Sequence, residues 1–120
     1  MGEPRADEPR ILVVDDEKPV RRLMAAIVAR GGFKTLEAQS GAEALEMAEH
    51  EHVDLVVTDV QMPGMTGPEL VRALRGRGLV ERSLLVSGYA GEAEMAGIPL
   101  VLKPFTAEQF LGRIQEALAC

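Results

Sequence analysis

Five polar side chains stand where apolar runs end. Asp59 closes the run Val53-Asp54-Leu55-Val56-Val57-Thr58, Asp15 and Asp16 follow Ile11-Leu12-Val13-Val14, Ser87 follows Ser83-Leu84-Leu85-Val86, and Lys103 follows Pro99-Leu100-Val101-Leu102. Three carboxylates, a hydroxyl and an amine can hold a divalent cation and a phosphoryl group. A free carboxylate attacks a phosphoryl donor poorly because both are negative, and a divalent metal removes that repulsion. Magnesium suits the donor set, since it prefers hard oxygen ligands and takes one or two carboxylates with waters and phosphate oxygens; manganese is the alternative. On this reading Asp16 and Asp59 bind the ion directly and Asp15 acts through water. The Lys103 amine neutralises phosphoryl charge, and Ser87 donates to a phosphoryl oxygen, with Gly88 leaving room for its approach.

Each residue also has an ordinary reading. An acidic pair before a helix favours the helix dipole. Asp59 in Asp-x-x-Met-Pro-Gly can cap a turn, Ser87 can cap a strand end, and most lysines are solvated. Lys103, however, precedes Pro104, which holds it in extended backbone and admits a cis bond. Four apolar runs ending in complementary groups favour the site, because ligands of open parallel α/β sheets sit at the C-terminal ends of the strands.

The elements that must position these groups alternate. Strands are expected over 10–14, 33–38, 53–58, 83–86 and 100–102. The first helix carries Val20, Leu23, Met24, Ile27 and Val28 on one face and stops at Gly31-Gly32. Ser40 with Glu43 forms a capping box for the second helix, whose inner face is Ala44, Leu45 and Ala48. Pro68 sits in the first turn of the third, with Leu70, Val71 and Leu74 inward. Thr106 with Gln109 caps the last, which buries Phe110, Leu111, Ile114, Ala117 and Leu118. Tyr89 to Gly97 supports only a short or irregular fourth helix. The pattern is a doubly wound parallel sheet with helices on both faces.

Composition narrows the function. At 120 residues the chain holds one core, with 1–9 read as a polar leader or linker and 10–120 as the domain. A net charge of −6 argues against nucleic-acid binding, which needs clustered Lys and Arg. Aromatics at 3% argue against stacking platforms for bases or flavins. No apolar stretch approaches a membrane span, no signal-peptide core is seen, and the lone Cys120 fits a cytoplasmic setting. His50 and His52 flank Glu51 on different sides of a helix end and read as surface residues rather than a metal pair.

Asp15-Asp16-Glu17, Asp59 with Met62-Pro63-Gly64 and Gly67, Ser87-Gly88-Tyr89-Ala90 and Lys103-Pro104-Phe105 together resemble the receiver domain of two-component response regulators, from about Arg10 to the C-terminus. The resemblance implies a CheY-like (βα)5 fold with strand order 2-1-3-4-5. It implies phosphoryl transfer from a histidine of a sensor histidine kinase or a histidine phosphotransfer protein to Asp59, magnesium dependence, and self-catalysed hydrolysis of the aspartyl phosphate. It places the backbone carbonyl of Gln61 in the metal shell and sets Gln61 and Tyr89 where the family tunes dephosphorylation. The chain departs from the family at Leu100, where an aromatic usually turns inward as the Ser87 hydroxyl contacts phosphate, and in the short stretch from Ser87 to Lys103. Ser-Gly-Tyr-Ala with a reduced fourth helix resembles receivers of hybrid histidine kinases; a monomer or weak dimer is expected. Two other functions compete. One is a phosphorylation-independent pseudo-receiver. The other is an aspartyl-nucleophile phosphatase of the haloacid-dehalogenase kind, which needs its nucleophile on the first strand and an aspartate where Gln61 stands.

Overall fold

The branched aliphatic runs assemble into a sheet covered on both faces. The computed structural model describes residues 8–88 and 97–119. Strands β1 (Arg10–Val14), β2 (Lys34–Ala38), β3 (Leu55–Asp59), β4 (Arg82–Ser87) and β5 (Leu100–Leu102) pair in parallel in the order β2-β1-β3-β4-β5. Helices α1 (Lys18–Arg30), α2 (Gly41–His50), α3 (Gly67–Gly76) and the C-terminal α4 (Ala107–Ala119) complete the described elements. The expected doubly wound architecture and strand order are both present. The irregular helix expected within 89–97, Tyr89 itself, leader residues 1–7 and Cys120 lie outside the described residues, apart from Gly97.

Alternation along each strand divides the core in two. Leu12, Val14, Val56 and Leu85 pack with Leu45, Leu70, Val71 and Leu74 of α2 and α3. Ile11, Val13, Leu55, Val57, Leu84 and Val86 pack with Met24, Ile27 and Val28 of α1 and Phe110 and Ile114 of α4. Burial on both faces explains why these strands are nearly continuous apolar runs.

One helix face differs from expectation. Leu23 is 61% exposed, whereas Met24, Ala25, Ile27 and Val28 are buried. At 100° per residue the centre of that stripe lies between Met24 and Val28, and Leu23 falls about 120° round from it. Arg21, three and seven residues before Met24 and Val28, takes the inner position instead and is half-buried.

The caps are mostly as the sequence indicates. Gln109 N–H donates to the Thr106 hydroxyl oxygen at 3.0 Å and Thr106 N–H to Gln109 Oε1 at 2.9 Å. Ser40 accepts from Glu43 N–H at 3.1 Å, but the Glu43 carboxylate accepts from Gln39 N–H at 2.7 Å, so the expected reciprocal box shifts back by one residue. Thr66 and Glu69 form a full capping box on α3, a Thr-x-x-Glu signal legible in the sequence and missed there. A cap of this kind contributes about 1 kcal/mol.

Gly67 ties α3 to the acceptor strand. Its N–H donates to Val60 O at 2.9 Å. A Cβ there would collide with the Asp59 carbonyl oxygen and lie 3.1 Å from the carbonyl carbon and 3.2 Å from Leu85 Cδ2. Gly67→Ala is therefore expected to destabilise the domain by about 1–3 kcal/mol, as overpacking of a tight contact does, measured as a lower urea midpoint with an unchanged slope.

β5 is one edge of the sheet. Leu85 N–H donates to Pro99 O at 2.8 Å and Lys103 N–H to Ser87 O at 2.8 Å, so residues 99 and 103 face β4 and the Leu100 carbonyl faces outward. The Arg113 guanidinium of α4 donates to that carbonyl at 2.7 Å.

Candidate functional site

Register brings the acids together. Val14 pairs with Thr58, so the next residues, Asp15 and Asp59, leave adjacent strands at the same rim. Carboxylate oxygens of Asp15, Asp16 and Asp59 lie within 4.8 Å of one another. Asp15 is fully buried, Asp59 half-buried and Asp16 exposed. Thr58, buried beneath Asp59, donates to the Asp59 carbonyl at 3.0 Å.

Asp15 is held at several atoms. Its N–H donates to Ala38 O at 3.2 Å, and its Oδ1 accepts from Glu17 N–H at 2.9 Å. Its Oδ2 is buried and has no hydrogen-bond partner. A buried acceptor without a donor costs about 1–3 kcal/mol. Burial pushes the Asp15 carboxyl above its ordinary range, the Glu17 N–H opposes this, and the nearby Asp59 charge adds to it. Burial likewise raises Asp59, against the lowering effect of Lys103 and of Val60 N–H.

The donor set fits a hard divalent cation. Three carboxylates converge, one buried oxygen lacks a donor, and the charged forms of two acids are disfavoured without a counter-charge. These are features that a cation bound to oxygen would compensate.

The amine and the hydroxyl come from the other side. Lys103 Nζ lies 3.6 Å from Asp59 Oδ1, which also accepts from Val60 N–H at 3.0 Å. The Lys103–Pro104 bond is cis, as the sequence admits. Ser87 is buried at the end of β4, one residue beyond the Val86 that pairs with Asp59, and its carbonyl receives the Lys103 N–H. Gly88 behind it is exposed. Gln61 is exposed on the loop after Asp59. Leu100 lies on β5, partly buried against the α2–α3 side of the core. Of the expected surface histidines, His50 bonds the Glu46 carbonyl at 2.9 Å and His52 bonds Asp54 at 2.8 Å, away from the acidic cluster.

A doubly wound sheet with three acids and a lysine at its C-terminal rim defines an open α/β domain whose acidic rim is compatible with a divalent cation. The chain matches the response regulator receiver domain over residues 11–115 and belongs to that family, the receivers of two-component systems. It is 38% identical over 116 residues to chemotaxis protein CheY of Pseudomonas aeruginosa, covering 89% of this chain and 94% of that protein. It is also 38% identical over 116 residues to sensor kinase CckA of Brucella abortus, covering 90% of this chain but only 12% of that kinase. Among solved structures, Vibrio cholerae CheY4 superposes with a TM-score of 0.85 at 28% identity, covering 92% of this chain and 99% of that one. Response regulator TrrA of Thermotoga maritima, solved in complex with Mg(2+)-BeF, gives a TM-score of 0.82 at 29% identity over 92% of this chain and 99% of that one. No helix among the described residues is long and apolar enough to cross a membrane.

Arg21 and Glu37 were not read from the sequence as site residues. Arg21 Nη1 donates to the Asp15 carbonyl at 3.1 Å and Nε to Glu37 Oε1 at 3.0 Å. The signal was a charged residue on the buried stripe of α1, one turn from the acidic pair.

Proposed function

We propose that Asp59 is a phosphoacceptor, taking a phosphoryl group from a phosphohistidine of a sensor histidine kinase or histidine phosphotransfer protein in a Mg²⁺-dependent reaction within the cytoplasm. The observation that carries this reading is the convergence of Asp15, Asp16 and the Lys103 amine on the Asp59 carboxylate. Asp15, Asp16 and Asp59 would hold the ion, with the Gln61 carbonyl as a further ligand. When bound, magnesium offsets the negative charge of the acids and of the incoming group. A carboxylate oxygen of Asp59 forms the new P–O bond as the P–N bond to imidazole breaks, and the departing ring keeps the electron pair and takes up a proton. Lys103 balances charge on the transferred oxygens, and Ser87 donates to one of them. Water later cleaves the acyl phosphate, returning the carboxylate and inorganic phosphate, and by the family resemblance Gln61 and Tyr89 would tune that rate.

Support comes from the family and from a response regulator of the same fold solved with Mg(2+)-BeF. Matches extend both to a free-standing CheY and to a kinase of which the chain spans a small part. Incubation with acetyl phosphate, or with a phosphorylated kinase, and Mg²⁺ is expected to add one phosphoryl mass that is absent in Asp59→Asn and lost at alkaline pH. An adduct retained in Asp59→Asn, or none from either donor, removes the proposal.

A further inference from the structure

Arg21 reaches two elements from the first turn of α1. Its Nε donates to Glu37 Oε1 on β2 at 3.0 Å, and its Nη1 donates to the backbone carbonyl of Asp15 at 3.1 Å. The side chain is only 12% exposed, against 63% for its neighbour Arg22, which also pairs with Glu37, at 3.5 Å. Arg21 therefore spans a gap between β2 and the loop after β1, and Glu37 balances its charge.

The bonded carbonyl belongs to the peptide joining Asp15 to Asp16. That peptide is planar, so fixing its oxygen fixes the direction in which the chain presents Asp16. Ala38 O takes the Asp15 N–H and Glu17 N–H takes Oδ1. With Arg21 on the carbonyl, Asp15 is held at its N–H, its carbonyl and one carboxylate oxygen, leaving Oδ2 as its unpartnered buried atom. A guanidinium beside a cation site would ordinarily oppose the cation. Here its charge is directed to Glu37, so what it contributes to the site is geometry.

We propose that Arg21, braced by Glu37, is a positioning residue that locks the Asp15–Asp16 peptide and so pre-organises the acidic cluster for Mg²⁺. This rests on the reading of Asp15, Asp16 and Asp59 as a magnesium site. Partners that orient metal ligands typically change affinity 10–100-fold when lost.

Calorimetric titration of the full chain with Mg²⁺ tests it, with urea unfolding in the absence of metal reporting the fold separately. Arg21→Gln is expected to raise the Mg²⁺ Kd about 10–100-fold. Arg21→Lys keeps the charge but cannot bridge Glu37 and the carbonyl with one planar fork, so it should fail to restore affinity. Arg22→Gln loses an exposed contact to the same glutamate and should leave Kd within about twofold. Native-like affinity in Arg21→Gln, or an equal loss in Arg22→Gln, overturns the proposal. If Arg21→Gln does not fold, Arg21→Lys decides in the same way. A native chain that binds no Mg²⁺ overturns the magnesium reading itself, which separates the two failures.

Discussion

Lys103→Ala is expected to slow phosphoryl acceptance by Asp59 about 10²–10³-fold while leaving the sheet intact, the loss typical of removing one preorganised charge from a transition state. The amine lies 3.6 Å from Asp59 Oδ1, and the Lys103 backbone is pinned to Ser87 at 2.8 Å, so the charge is aimed rather than wandering. Its side chain is 32% exposed, and water takes over part of its ground-state role. During transfer the equatorial oxygens carry charge that solvent must reorganise to meet, whereas a fixed ammonium is already in place. Truncation should therefore depress the rate of adduct formation far more than it depresses stability. Lys103→Arg should rescue only partly, because a planar guanidinium does not occupy the volume of a point charge. Time-resolved intact mass with acetyl phosphate gives the rate, and a Lys103→Ala rate within about threefold of native would remove Lys103 from the chemistry.

Asp15→Asn should make the metal-free protein more stable at neutral pH while abolishing most of its response to Mg²⁺. Asp15 is fully buried, its Oδ2 has no donor, and its carboxyl is pushed up by burial and by Asp59. A raised folded-state pKa means that the folded protein binds the proton more tightly than the unfolded chain. The charge penalty is then absent below the unfolded pKa, grows as pH rises above it, and is complete once pH exceeds the folded pKa. Asparagine keeps an acceptor for Glu17 N–H and carries no charge, so metal-free stability should rise by about 1 kcal/mol, net of the amide it buries. Mg²⁺ stabilises by RT ln(1 + [L]/Kd), and losing this carboxylate should raise Kd about 100-fold, or 2.7 kcal/mol. Thermal melts with and without magnesium, at neutral and at acid pH, read both effects. The gain over native should shrink as pH falls through the folded-state Asp15 pKa. A metal-free Asp15→Asn less stable than native at pH 7 would show that the acid serves the fold and not the site.

The residues that could be read directly were those at strand ends. Asp15, Asp16, Asp59, Ser87 and Lys103 each follow an apolar run, and parallel register carries them to one rim. Strand limits moved by one or two residues, as at β3, which begins at Leu55 and includes Asp59. The side-chain braces were harder to read. Arg21 lies on the buried stripe of α1, and helical periodicity in apolar residues assigned an inner place to Leu23. A periodicity built on hydrophobicity passes over a charged residue whose burial is offset by Glu37 and a carbonyl. Gly67 was legible as part of a motif, but the contact with the Asp59 carbonyl that restricts its size appears only in three dimensions.

The Arg113 contact with Leu100 has a consequence away from phosphoryl chemistry. An open sheet ends in strands whose outer amides and carbonyls can recruit another chain and seed aggregates. On the β5 side that hazard is blunted twice over, since the strand is only three residues long and its outward Leu100 carbonyl is already occupied by a cation from the chain's own last helix. That edge of the sheet is thereby a poor template for pairing with a second chain.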